Sequence, residues 1–327
     1  MKLLLTGDLH NKSGINTRLL LDYLDYLQEY YNNNNLDKII ILGDLFHKNS
    51  NIKADTFVPF FLKFWEMKQN GVEFIFLVGN HDIYNRDYDT IVDTFSPLGL
   101  VIKQYTELEL GGKKCGFLPY LLKPEDFPKN ITSEFLFTHL PIANFTFDNM
   151  YHVTEKHAFG YEYFKDFSQV FSGHFHRHQH QKNITYVGSP IQLYRGEIGQ
   201  KKGFIVFDTD TENWDFIEYT DAPKYIEIHS NDLSNIKNLE IKGNFVVVYI
   251  NEKIQDFAKF KYILYEYGAI DVIPIFEKED GEEILEANIK EAQDIEKITR
   301  EFILQSENID NKKILLLFDK IVRETGV

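Results

Sequence analysis

Phe74-Ile75-Phe76-Leu77-Val78-Gly79-Asn80-His81-Asp82 passes from an unbroken apolar run straight into a knot of polar, ligand-type residues. The run reads as a buried strand, and the knot falls at its end. The same arrangement recurs along the chain. Lys2-Leu3-Leu4-Leu5 precedes Asp8-Leu9-His10, and Ile39-Ile40-Ile41-Leu42 precedes Gly43-Asp44. Phe135-Leu136-Phe137 leads into Thr138-His139, and Gln169-Val170-Phe171 into Gly173-His174-Phe175-His176. Ligands at the ends of buried strands are where α/β sheets build their active sites.

Outward from these motifs, strand-like runs alternate with helical segments over the first ~210 residues, the pattern of a layered α/β fold. Leu20, Tyr23, Leu24, Leu27 and Tyr31 fall at helical spacing, and Asn32-Asn33-Asn34-Asn35 stops that helix. Asp55–Gln69 predicts a second helix with a face of Phe57, Phe60, Phe61 and Phe64, ended by Gly71. After Pro97, Lys103–Leu110, Cys115–Pro119 and Glu134–Thr138 read as strands of a second sheet. Ile184–Val187 and Gly203–Asp208 alternate like antiparallel strands, and Asp215–Tyr219 closes the series. The expected fold class is α/β, a sandwich of two packed sheets flanked by helices.

A boundary is expected at Asp221-Ala222-Pro223, so that residues 1–221 form the main domain. Residues 222–281 predict a small α+β capping domain, with strands at Tyr225–His229, Asn244–Ile250 and Ile270–Phe276 and a helix over Asp256–Tyr267. Residues 282–327 predict charge-rich C-terminal helices. The last carries an apolar stripe of Ile314, Leu315, Leu317, Phe318, Ile321 and Val322.

Composition narrows the function classes. The 327 residues are 43% hydrophobic and 15% aromatic, ample for a core. No apolar run approaches the ~18 residues of a membrane span. The N-terminus starts on a strand without a signal-peptide layout, and the single Cys115 excludes an internal disulfide. A cytoplasmic location is therefore expected. A net charge of −15 argues against a basic-stripe DNA binder, but not against an enzyme that brings its positive charge in as metal ions.

The polar residues have few joint uses besides holding two divalent ions. Asp and His donors without a thiolate set suit Mn, Fe or Zn. Asp8 and His10, two apart on an extended backbone, would share one face. Asp44 has two oxygens and can bridge two ions; Asn80 adds a neutral oxygen, and His139, His174 and His176 add nitrogens. Singly, each such residue is more often a turn or a solvated side chain, and Asn80 fits a turn. Jointly, five coincidences at five strand ends would be needed.

The ordered motifs resemble those of the calcineurin-like metallophosphoesterases. That resemblance implies one ion on Asp8, His10, Asp44 and His176 and a second on Asp44, Asn80, His139 and His174. It further implies that His81 faces the phosphate as a general acid, with Asp82 orienting its ring. Gly43-Asp44-Leu45-Phe46-His47, together with Gly188-Ser189-Pro190, a capping domain and a helical tail, resembles the SbcD-type double-strand-break nucleases, most of all their compact phage-encoded members. For that family His47 settles the substrate strand. The reaction is Mn2+-dependent (Mg2+ or Fe2+ being the alternatives): 3′-to-5′ exonuclease on duplex DNA and endonuclease on single strands. For a phage-encoded member, the compartment is the host cytoplasm.

The resemblance also implies partners: DNA, an SbcC-type ATPase docked on the Ile314–Val322 stripe, and a second copy of the chain. The Phe57–Phe64 face and the Tyr84–Phe95 segment are candidates for the dimer contact. Lys48, Lys53, Arg86 and Arg177 lie beside the motifs and are candidates for DNA contact. His178 and His180 fit a solvated hairpin better than a substrate contact. Two other readings stand beside the nuclease: a small-molecule or nucleotide phosphodiesterase, and a non-catalytic scaffold organising an ATPase on DNA.

Overall fold

A computed structural model of the chain describes residues 1–48, 51–85, 89–146, 158–229, 239–250 and 261–276. Two compact units divide it: Met1–Ile226 with Lys242–Phe245, and Glu227–Ile241 with Val246–Val327.

In the first unit the apolar runs become strands: β1 Lys2–Thr6, β2 Lys38–Leu42, β3 Phe74–Leu77, β4 Gly99–Ile102, β5 Thr106–Leu110, β6 Lys113–Leu118, β7 Phe135–Thr138 and β8 Gln169–Ser172. A hairpin of β9 Gln179–Gln181 and β10 Ile184–Tyr186 follows, then β11 Gly203–Asp208 and β12 Trp214–Glu218. They form two six-stranded mixed sheets, ordered β12-β11-β1-β2-β3-β4 and β5-β6-β7-β8-β10-β9. Strands β1 to β4 run parallel, and β11 lies antiparallel to β1.

Period-two alternation sorts the side chains into layers. Leu3, Leu5, Ile40 and Leu42 point between the sheets, against Phe117, Phe135, Phe137, Phe171 and Phe207. Leu4, Ile39, Ile41, Phe74 and Phe76 point the other way, onto helices α1 Ile15–Asn33 and α2 Ala54–Gln69. The architecture is an α/β sandwich.

Several expectations are corrected. Helices cover only the first sheet among the described residues; the outer face of the second is packed by Phe145, Phe159 and Phe164 from irregular segments and short turns. The Lys103–Leu110 run is shorter than expected. The chain first pairs Gly99–Ile102 with β3 in the first sheet, then crosses to the second as β5. Ile184–Tyr186 is antiparallel to β9 but parallel to β8. The Phe face of α2 is core: Phe60 and Phe64 are fully buried, and Phe64 packs edge-on against Phe60, Phe74, Phe76 and Phe95. Phe60 and Phe64 are therefore spent in the core, while Phe57 and Phe61 stay half-buried. The outward side of α2 carries Val58, Leu62 and Trp65 instead.

Three further strands, β13 Tyr225–His229, β14 Phe245–Ile250 and β15 Asp271–Phe276, form a third sheet in that order. Of the helix expected over Asp256–Tyr267, residues 261–266 are helical and the earlier ones lie outside the described residues. The two expected C-terminal helices, with Ile314, Leu315, Leu317, Phe318, Ile321 and Val322, fall outside them too, as does Arg86. No helix among the described residues is long and apolar enough to cross a membrane.

Candidate metal centre

Register brings the motifs together. Thr6 lies opposite Ile41, and Leu42 opposite Leu77, so Gly7-Asp8, Gly43-Asp44 and Val78-Gly79 leave the first sheet side by side. In the second sheet Leu118, Thr138 and Ser172 lie level, so His139 and Gly173 leave it together. The chain crosses closely here. A Cβ at Gly43, whose φ is +88°, would strike the His139 ring and the Gly79 backbone, and one at Gly79 would strike Asp44. Only glycine fits at such approaches.

Asp8, His10, Asp44 and His174 have positive φ values of 51°, 45°, 56° and 91°. Non-glycine residues seldom adopt this region, and such strain collects at functional sites. It also corrects the expected geometry: Asp8 and His10 converge through a left-handed backbone, not by sharing the face of an extended one.

Two donor clusters result. Nε2 of His10 and Nε2 of His176 face each other at 3.0 Å, with Asp8 beside them. Asn80 Oδ1 lies 2.8 Å from His174 Nδ1 and 3.1 Å from His139 Nε2. Between the clusters stands Asp44: its Oδ2 is 3.4 Å from His10 Nε2 and 3.3 Å from His139 Nε2. Its Oδ1 accepts the His81 backbone N–H at 2.8 Å. Asp8 accepts the His174 backbone N–H at 3.0 and 3.1 Å. The structure thus brings all seven expected ligands into one place.

The surroundings prepare the nitrogens. His139 Nδ1–H donates to the Leu42 carbonyl at 2.6 Å, which turns Nε2 and its lone pair inward. Burial disfavours the His139 cation, but the Asp44 and Asp8 carboxylates outweigh burial and hold its pKa up at about 9. His174 goes the other way, to about 3, through burial and the neighbouring His139. Burial pushes the Asp8 carboxyl up; Asp44 is buried too, yet His139 and His10 hold its carboxyl well below the usual carboxylate range.

This donor set fits divalent ions. Asp8 and Asp44 are wholly buried carboxylates that, among the described residues, pair with no lysine or arginine. The buried His10 Nδ1 has no hydrogen-bond partner among the described residues. Buried charge at this density needs a cation. An ion held by His139 would have to displace the proton that its ring holds below pH about 9. Mn2+ binding should therefore tighten from pH 7 to 9, by at most about tenfold per pH unit, with proton release. Calorimetry in buffers of different ionisation enthalpy checks this, and pH-independent affinity would contradict it.

His81 Nδ1–H donates to the His47 carbonyl at 2.9 Å, and its ring stands 4.6 Å edge-on from His10. Asp82 does not orient that ring, which corrects the expectation. Fully buried, it accepts the backbone N–H groups of Asp44, Leu45 and Gly79 at 2.8, 3.0 and 2.9 Å, lashing the β2 and β3 loops together. The His47 carbonyl, not Asp82, holds the His81 ring. The exposed His47 ring stacks 5.8 Å from His81.

The model of the calcineurin-like phosphoesterase family matches residues 1–178, more than half the chain. The chain belongs to the calcineurin-like phosphoesterases. It is thus a metal-dependent phosphoesterase, and the clusters above occupy the part of the chain that the family defines, closed by His174 and His176 near its end. It is also 23% identical to exonuclease subunit 1 of Enterobacteria phage T4 over 338 aligned positions, 94% of this chain and 98% of that one. Among solved structures it is similar to an archaeal phosphodiesterase, at 13% identity and a TM-score of 0.37, over 67% of this chain and 100% of the other. A second is Yfce, a phosphoesterase from E. coli, at 16% identity and 0.35, over 64% and 90%.

Around this phosphoesterase site lie residues that sequence reasoning missed. Tyr120 stands 6.0 Å from the His174 ring and Tyr194 6.3 Å from that of His176. Lys12, two residues past His10, presses electrostatically on His47, and its Nζ donates to the Leu193 carbonyl at 3.4 Å. Its place beside Asp8-Leu9-His10-Asn11 was the one available signal. Lys48, Lys53 and Arg177 are all exposed, Lys53 at the N-terminal cap of α2. His178 and His180 pack on the first sheet's edge, His178 stacked 4.0 Å from Phe216 and His180 5.3 Å from Trp214. That packing corrects the solvated-hairpin expectation for His178.

Proposed function

We propose that this phosphoesterase is a Mn2+-dependent DNA nuclease, a 3′-to-5′ exonuclease on duplex DNA and an endonuclease on single strands, working as one subunit of a nuclease–ATPase complex. The observation that carries the reading is the reach of the likeness to an exonuclease subunit. The family match ends at residue 178, whereas that likeness runs over 94% of the chain. A small-molecule phosphodiesterase has no use for the additional unit. DNA as substrate, a partner ATPase and a homodimer belong to the same proposal.

In this reading Asp8, His10, Asp44 and His176 hold one ion and Asp44, Asn80, His139 and His174 the other. Such a pair supplies positive charge to the phosphoryl oxygens and lowers the pKa of water at the site. The chain's own residues do the rest. His81, its Nδ1–H anchored on the His47 carbonyl, keeps Nε2 available to carry a proton to the departing oxygen. His47, exposed beside it, settles the strand, and Lys12, Lys48, Lys53 and Arg177 contribute positive charge at the rim of an acidic protein.

The test is cleavage of 3′- and 5′-labelled duplex DNA, and of single strands, with Mn2+. Shortening from the 3′ end supports the proposal. Turnover of bis-p-nitrophenyl phosphate with both forms of DNA intact would move the chain to small-molecule substrates.

A further inference from the structure

Behind His176 lies a closed ring of buried polar contacts that the two-ion site does not by itself require. Glu197, 1% exposed, ends a short turn at Arg195–Glu197, and its Oε1 lies 2.8 Å from His176 Nδ1. The other oxygen, Oε2, accepts the Leu193 backbone N–H at 2.8 Å and pairs with Lys202 Nζ at 2.9 Å. Lys202, 5% exposed, donates in turn to the His176 carbonyl at 2.8 Å and to Ser189 Oγ at 2.9 Å. The ring thus leaves His176 by its side chain and returns by its backbone.

From this geometry we infer that Glu197 is a positioning residue for the ion His176 would hold, with Lys202 as its counter-charge; the inference rests on the two-ion reading above. A carboxylate can only accept at Nδ1. It therefore fixes the tautomer with the proton on Nδ1 and the lone pair on Nε2, the atom that faces His10. It also makes the imidazole a more basic ligand. A bare buried ion pair would have no such consequence. Replacing both partners of such a pair by neutral groups of similar volume is often harmless to stability, whereas removing one strands a charge. What a neutral pair cannot do is hold the Nδ1 proton as strongly as a carboxylate does.

The double variant Glu197→Gln with Lys202→Met removes both charges together, and Lys202→Met alone keeps the carboxylate on His176. Mn2+ titrated by calorimetry into the metal-free full chain should show two sites in the wild type. In the double variant one site should weaken by about 10- to 100-fold, the loss typical when an outer carboxylate is taken from a ligand histidine, with the other unchanged. Lys202→Met should retain more of the affinity than the double variant. A measurement needing no variant is long-range 1H–15N correlation of the metal-free wild type, where His176 should carry its proton on Nδ1. A proton on Nε2, or a double variant that matches the wild type at both sites, would overturn the positioning role alone. A wild type that takes up fewer than two ions would overturn the two-ion reading and this inference with it.

Discussion

Asp44→Asn is expected to reduce phosphodiester hydrolysis by about 10³-fold, the upper end of what loss of one charge-stabilising group costs. Removing one preorganised charge-stabilising group commonly costs about 10²–10³ in rate, and Asp44 faces both donor clusters at once. Its Oδ2 is 3.4 Å from His10 Nε2 and 3.3 Å from His139 Nε2. Asparagine is the informative replacement. Residue 44 has φ +56°, a conformation Asn tolerates better than most residues, and an amide oxygen still accepts the His81 backbone N–H that Oδ1 holds. The fold should therefore persist, as circular dichroism and thermal melting would show. The loss should appear in kcat on bis-p-nitrophenyl phosphate, together with weakened Mn2+ uptake at both sites. Activity within tenfold of wild type would show that Asp44 does not join the two clusters.

His81→Ala is expected to lower DNA cleavage by about 10²–10⁴-fold, the range for loss of a general acid, while leaving Mn2+ uptake intact. The two substrates separate the roles. A deoxyribose 3′- or 5′-oxygen is a poor leaving group and needs the proton; p-nitrophenolate departs without one. The variant should lose far more on DNA than on bis-p-nitrophenyl phosphate. Equal losses on both, or loss of an ion, would place His81 among the ligands instead. In the structure its backbone N–H, not its ring, contacts Asp44, and its Nδ1 is taken by the His47 carbonyl.

All seven metal-ligand candidates were legible in the linear chain because each belongs to a strand end, and strand ends are announced by what precedes them. Leu3–Leu5, Ile39–Leu42, Phe74–Leu77, Phe135–Phe137 and Val170–Phe171 are buried on both faces, so their apolar runs carry no polar interruption and stop where the sheet stops. Alternation could not tell which sheet Gly99–Ile102 would join, because a run of four residues pairs equally well with either neighbour until β3 offers its edge. Nor could it say that Phe64 of α2 would pack against Phe74, Phe76 and Phe95.

Local order therefore sufficed for the kind of protein: a layered α/β chain with carboxylate and imidazole donors at its strand ends. Only the tertiary structure decided what supports those donors. Asp82 accepts the nearby Gly79 N–H and, where the β2 and β3 loops cross, those of Asp44 and Leu45, 38 and 37 positions away. Glu197 reached His176, and Lys202 closed the ring, because the segment after Ser189 folds back beneath that histidine. Strand burial is a property of neighbouring residues and is written in their order. Which carboxylate meets which imidazole depends on long-range chain crossings, and no spacing in the sequence encodes them.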